Sequence, residues 1–315
     1  MASNLAFIFP GQGSQHLGML SELAERYAVV RSTFEEASTA LGYDLWHLVQ
    51  EGPVEDLNRT DITQPAILAA SVAVWRVWKE LEGARPAWLA GHSLGEYSAL
   101  VCSGAMDFAD GIRLVRTRGE FMQQAVPQGQ GAMAAILGLD ADKIEAACAA
   151  AAQGEIVAAV NYNAPGQIVI AGSVAAVERA ILACREAGAR KAMPLPVSVP
   201  SHCELMRPAA EKLADELNLI QLNKPRVPVV QNVHAAPETE VAAIRDNLVA
   251  QLYRPVRWIE SIEFMAQQGV DSYVECGPGK VLVGLNKRIV KTAKSLAVND
   301  SDSLQVALEL LCAEL

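Results

Sequence analysis

The pentapeptide Gly91-His92-Ser93-Leu94-Gly95 constrains this chain more than any other feature. It follows a short apolar run over residues 87–91 and precedes a helix-like segment that starts near Leu94. Strand, sharp turn and helix in immediate succession are the signature of an α/β fold. Glycines at both ends let the backbone close a strained, tightly packed turn, which lifts the serine hydroxyl out of the sheet and aims the following N–H groups at one spot. Ser93 is then a candidate nucleophile; the alternative is a glycine-rich turn in which Ser93 only caps the helix.

The rest of the chain arranges itself around that turn. Residues 5–9 are a second apolar run, closed by Pro10-Gly11-Gln12-Gly13, and read as a buried strand ending in a tight loop. Leu17, Leu20, Leu23 and Tyr27, then Val30, Phe34, Ala37 and Leu41, recur at helical spacing, with Gly42 placed as a stop. Past residue 131 the rhythm changes: strand 132–137, helix 141–151, strands 156–162 and 167–171, helix 174–187, strand 190–197. That β-α-β-β-α-β order is ferredoxin-like. The loops at 126–129 and 199–201 are where an insert enters and leaves, so the division expected is a main α/β subdomain over 1–127 and 200–315 and a small subdomain over 128–199. Runs at 227–233 and 272–276 return to the main sheet.

Composition excludes several function classes. At 315 residues the chain is near the upper limit for one hydrophobic core, and 51% hydrophobic content rules out a disordered protein. A net charge of −10 repels phosphate backbones and anionic membranes, so neither is an expected partner. The apolar stretch 65–81 carries Arg76 and Lys79 and is too short to cross a bilayer. The six cysteines form no C-x-x-C pair, which argues against a zinc knuckle or a disulfide framework and fits a reducing cytoplasm. Pro10 and Gly11 interrupt the only apolar stretch near the start, so no secretory signal is readable. No metal-ligand spacing or nucleotide fingerprint is present, and without a helical seam or edge motif a monomer is expected.

A serine nucleophile needs a base, and the histidines are His16, His47, His92, His202 and His234. His202 is the best placed: Ser201-His202-Cys203-Glu204 has the spacing of a capping box, which sets the ring on the first turn of a helix, where imidazolium is disfavoured and the ring stays basic. The alternative is a histidine that only begins a helix. His92 sits inside the turn and reads as its support. On a helical wheel Arg118 falls in the middle of the apolar arc formed by Phe108, Ile112, Leu114, Val115, Phe121, Met122 and Ala125. A guanidinium on a buried face must meet an anion, either a carboxylate of the protein or one of a ligand.

Six segments in order resemble the malonyl-CoA:acyl carrier protein transacylases of bacterial fatty acid synthesis. They are Phe9-Pro10-Gly11-Gln12-Gly13-Ser14-Gln15, Gly91-His92-Ser93-Leu94-Gly95-Glu96, Arg118, Asn161-Tyr162-Asn163-Ala164-Pro165-Gly166-Gln167, Val199-Pro200-Ser201-His202 and Glu275-Cys276-Gly277-Pro278-Gly279. The resemblance implies an α/β-hydrolase-like large subdomain with the ferredoxin-like insert as the other wall of the cleft. It implies Ser93 as nucleophile toward malonyl-CoA, His202 as base, and the backbone carbonyl of Gln251 orienting that histidine. The backbone N–H groups of Gln12 and Leu94 would form the oxyanion hole, and Arg118 would hold the malonyl carboxylate. No cofactor is implied, since malonyl-CoA is a substrate and phosphopantetheine arrives on the acyl carrier protein. That partner is acidic, and the cationic stretch Lys280, Lys287, Arg288, Lys291 and Lys294 is the expected docking patch, with a solvated helix face as the alternative. The chain departs from the family at Arg254, before Pro255, where Asn is more usual. Two other enzymes fit the turn. A polyketide-type acyltransferase would use malonyl or branched malonyl, and a serine thioesterase would give His202 a carboxylate partner. An inactive carrier-binding protein would never acquire an acyl group on Ser93.

Overall fold

The five residues of β1 (Leu5–Phe9) are all apolar and all buried, as a parallel strand covered on both faces requires. The computed structural model describes residues 4–197 and 199–312, so the outermost residues of the expected main subdomain and Ser198 of the expected insert lie outside the described residues. β1 pairs in parallel with β2 (Trp88–Gly91), register Phe9↔Gly91, so the loops that follow the two strands leave the sheet side by side. The chain then runs through β3 (Gly131–Leu137), β4 (Val157–Ala164), β5 (Gln167–Ser173) and β6 (Lys191–Pro194) before returning as β7 (Val229–Gln231), β8 (Ala236–Pro237), β9 (Ser272–Cys276) and β10 (Lys294–Val298).

Two sheets result. The larger has the order β10-β9-β1-β2-β7-β8, parallel except for the short β8. The smaller is antiparallel with the order β4-β5-β3-β6, which is the ferredoxin-like arrangement, and the helices Ala141–Ala152 and Val174–Glu186 supply its apolar core. The molecule is thus an α/β-hydrolase-like subdomain with a ferredoxin-like one inserted. Beneath the large sheet the helix Thr60–Glu80 is buried almost throughout, and Trp75 and Trp78 meet Phe7 of β1 edge-on at 5.3 and 5.2 Å. No helix among the described residues is long and apolar enough to cross a membrane.

Two expectations need correcting, and the solvated-helix-face alternative for the cationic stretch does not hold. The last strand of the small sheet stops at Pro194 instead of 197, because Pro194 and Pro196 lack the N–H a ladder uses. The expected strand 227–233 is the shorter β7, flanked by Pro228. The cationic C-terminal stretch is not one helix face. Lys287 and Arg288 end the helix Val281–Ile289, Lys291 lies in the following turn, and Lys294 opens β10.

The two subdomains are joined at one edge of the small sheet. Tyr162 N–H donates to Val256 O at 3.0 Å and Val256 N–H to Val160 O at 2.8 Å. Nearby, Arg288 donates to Pro165 O at 2.6 Å and also reaches Gln167 Oε1.

Candidate active site

Ser93 stands at φ 54°, ψ −109°, a left-handed conformation that a non-glycine residue adopts only when its surroundings hold it there. What holds it is specific. His92 N–H donates to Phe9 O at 3.0 Å, and Gly95 packs so closely that a Cβ there would overlap the Phe9 carbonyl. On the other side Asn232, the residue after β7, accepts from Ser93 N–H through Oδ1 at 2.7 Å and donates through Nδ2 to Gly91 O at 2.6 Å. The turn therefore bridges the ends of β1, β2 and β7, and Leu94 becomes the first residue of the helix Leu94–Cys102.

His202 Nε2 lies 2.8 Å from Ser93 Oγ, and Nδ1 lies 2.7 Å from the backbone carbonyl of Gln251. That carbonyl only accepts, so Nδ1 carries the proton and Nε2 is free to accept the serine hydroxyl. The capping box is not formed. Ser201 Oγ turns back to Val199 O, Glu204 pairs with Arg207, and His202 sits at φ 66° before the short 3₁₀ turn Glu204–Met206. The ring is nonetheless kept neutral, for a different reason: burial pushes its pKa down to about 3, and the nearby Arg118 charge adds to this. The Arg254 departure leaves the Gln251 carbonyl in place, since Arg254 N–H closes the preceding helix onto Ala250 O and its guanidinium lies 5.8 Å from the Tyr253 ring.

Arg118 is on the buried face, as its place on the wheel requires, and is 1% exposed. Gly119 beside it lets the helix Phe108–Ala125 press onto the backbone of Asp61, where a Cβ would come within 2.8 Å. The guanidinium donates to Gln64 Oε1 at 2.7 Å, Gln251 Oε1 at 3.0 Å and Ser93 Oγ at 3.4 Å, and lies over the Tyr97 ring at 5.3 Å. These partners are neutral. Among the described residues no carboxylate comes within ion-pair distance of Arg118, and its Nε has no acceptor. A buried permanent cation beside a serine–histidine pair is a site prepared for an anion.

The acyl transferase domain model matches residues 6–307. The chain belongs to the acyl transferase domain family. It is 61% identical over 308 residues to the malonyl CoA-acyl carrier protein transacylase of Escherichia coli K12, covering 98% of this chain and 100% of that one. It is 47% identical to the Bacillus subtilis enzyme of the same name, with 99% and 98% covered. Among solved structures it is similar to a malonyl-transacylase in complex with its type II PKS acyl-carrier protein, with a TM-score of 0.97, 60% identity and 98% and 100% coverage.

Within this acyl transferase domain, side chains that the sequence did not single out do much of the holding. Gln64 fixes one arm of Arg118, and nothing local in the sequence set it apart from Asp61 and Thr63 in the same polar first turn. Asn232 pins the serine turn from more than a hundred residues away and carries no local signature. Gln251 was expected to act through its backbone carbonyl alone; its side chain also meets Arg118, Ser93 O and Glu96. His92 supports the turn as expected, with Nε2 2.7 Å from Asn163 Oδ1 of the small sheet. His16, His47 and His234 are not brought to this cluster.

Proposed function

We propose that this chain transfers the malonyl group from malonyl-CoA to the pantetheine thiol of an acyl carrier protein through a malonyl ester of Ser93. The observation that carries the substrate is Arg118: a fully buried guanidinium, without a carboxylate partner among the described residues, 3.4 Å from the serine oxygen. A malonyl thioester places a carboxylate one methylene from its reacting carbonyl, so attack by Ser93 brings that carboxylate to the guanidinium, where two parallel N–H···O bonds form.

In the first half-reaction Ser93 Oγ attacks the thioester carbonyl while its proton passes to His202 Nε2. The resulting oxyanion meets the backbone N–H groups of Gln12 and Leu94. Leu94 is the first residue of its helix, so its N–H has no intrahelical acceptor, and Gln12 lies in the loop beside the turn. The intermediate collapses, the C–S bond breaks, and the proton on Nε2 goes to the departing thiolate. Gln251 O holds Nδ1–H throughout. A carboxylate bound at Arg118 also offsets the guanidinium charge, one of the causes that disfavour imidazolium, so the correct substrate makes the base easier to protonate. The second half-reaction repeats these steps with the pantetheine thiol. The backbone carbonyl on Nδ1, where a thioesterase reading requires a carboxylate, favours transfer over the hydrolase alternative.

The same reading assigns residues 1–127 and 200–315 to the catalytic subdomain and 128–199 to the opposite wall. The protein would work as a cytoplasmic monomer whose only prosthetic chemistry is the carrier's phosphopantetheine. The carrier would dock near Lys280, Lys287 and Lys291, all exposed, with Arg288 of the same stretch already engaged with the small sheet.

The test is a brief incubation with malonyl-CoA and no acceptor, followed by intact mass and peptide mapping, with Ser93→Ala alongside. The expected result is one malonyl adduct on Ser93, absent from the variant and discharged by acyl carrier protein. Steady release of CoA without an adduct overturns the reading.

A further inference from the structure

Glu96 is a carboxylate with 0% exposure, directly after the pentapeptide of the serine turn, and the transfer steps give it no part. Its Oε2 accepts two hydrogen bonds, from Asn232 N–H at 2.8 Å and from Gln251 Nε2 at 3.1 Å, while its Oε1 has no partner. Gln251 Nε2 spends its second hydrogen on Ser93 O at 3.0 Å. With both amine hydrogens committed to acceptors, the Gln251 amide has one orientation left, the one in which Oε1 faces Arg118 at 3.0 Å. Rotated by half a turn, the amide would set donor against donor at the guanidinium and acceptor against acceptor at Glu96.

We infer that Glu96 is a positioning residue for malonyl selection: its acceptor-only carboxylate locks the Gln251 amide, and the amide holds the Arg118 guanidinium where a substrate carboxylate can pair with it. This rests on the transacylase reading above. The amide between the two charges has a physical reason. A carboxylate touching Arg118 directly would occupy the place of the substrate's, whereas a carboxylate one amide away partly balances the buried cation and leaves its hydrogen-bonding edge available. Burial also raises the Glu96 pKa to about 7, so the lock weakens when the carboxyl gains a proton on its free Oε1 and Oε2 loses the charge that strengthens it as an acceptor. The charged and titratable groups around it are Arg118 from the helix Phe108–Ala125 and Tyr97 from its own helix.

The experiment compares single-turnover loading of Ser93 from malonyl-CoA and from acetyl-CoA in the full-length wild type and in Glu96→Gln, which keeps the volume but offers a donor as well as an acceptor. The expected result is a fall of roughly tenfold or more in the malonyl-to-acetyl rate ratio, with acetyl loading changed about threefold or less. An unchanged ratio, or an equal loss for both substrates, overturns the inference. Should the variant fail to fold, the wild type decides. Its malonyl-to-acetyl ratio is expected to fall as pH drops through about 7, and a ratio constant from about pH 5.5 to 8.5 overturns the inference. Failure of the wild type to acquire any malonyl adduct would instead overturn the transacylase reading itself.

Discussion

The two subdomains spend their interiors differently. Every buried polar or charged side chain among the described residues lies outside residues 131–194, in the body built on the parallel sheet. The small antiparallel sheet encloses only apolar side chains and cysteine, from Ile136 and Ile170 to Cys148 and Cys184. A buried polar group is tolerated where its hydrogen bonds are met or where it works. The contrast teaches that the chemistry belongs to one body, while the other is a well-packed wall that reaches the site through few contacts, Asn163 on His92 and the Val160–Val256 joint among them.

Breaking the polar body at its most costly point should give the largest effect. Arg118→Ala is expected to lower malonyl loading of Ser93 by roughly a hundredfold, the equivalent of about 2.7 kcal/mol and typical of a charge-assisted pair. Acetyl loading should fall far less, and single-turnover rates with the two thioesters measure the difference. In the apolar wall the opposite signature is expected. Ile170→Ala removes a fully buried side chain from the small core and should cost about 2–5 kcal/mol of stability, seen as a lowered denaturant midpoint. The folded fraction should still load malonyl within about a factor of two, because no member of the site is touched.

A buried polar group away from the chemistry sharpens the comparison further. Glu275, at the end of β9, accepts from Val283 N–H at 2.8 Å, and burial raises its pKa to about 7. A carboxyl whose pKa is higher folded than unfolded binds more protons in the native state, so its contribution to stability is present at low pH and lost as pH rises through about 7. Glu275→Gln should therefore melt progressively higher relative to the wild type as pH is raised from about 4.5 to 7, the difference levelling off above that, with malonyl loading unchanged. A constant difference in Tm across that range would show that the ionised carboxylate is not penalised there.

The same contrast explains what was legible in the sequence. Residues 131–194 could be read almost element by element, since an apolar core leaves clean alternation and clean helical spacing behind. Ser93 was legible because a strained turn demands glycines at fixed offsets, and Arg118 because a charge in the middle of an apolar arc stands out. The network that serves them was not. Asn232, Gln64 and the side chain of Gln251 meet Ser93 and Arg118 across separations of 54 to 158 residues, and no local periodicity records such meetings. His202 was found by way of a capping box that does not form, and the neutral ring credited to a helix terminus is produced by burial beside a guanidinium.

The smallest expected effect lies on the surface, where neither interior is disturbed. Lys287 and Lys291 are exposed and stand near the seam between the two bodies, close to the Arg288 contact with Pro165 O. Charge reversal at Arg288 would break that contact and confound docking with loss of the wall, so the informative variant is Lys287→Glu with Lys291→Glu. Rim charges act mainly on association rate and are screened over about 8 Å at physiological ionic strength. The double variant should load malonyl from malonyl-CoA at the wild-type rate and discharge it to the acidic carrier about two- to tenfold more slowly at low salt, the gap closing as salt is added. Discharge that matches the wild type at every ionic strength would move the docking surface off this seam. Slowed loading would show instead that the seam shapes the cleft, and the division between a chemical body and a passive wall would no longer hold there.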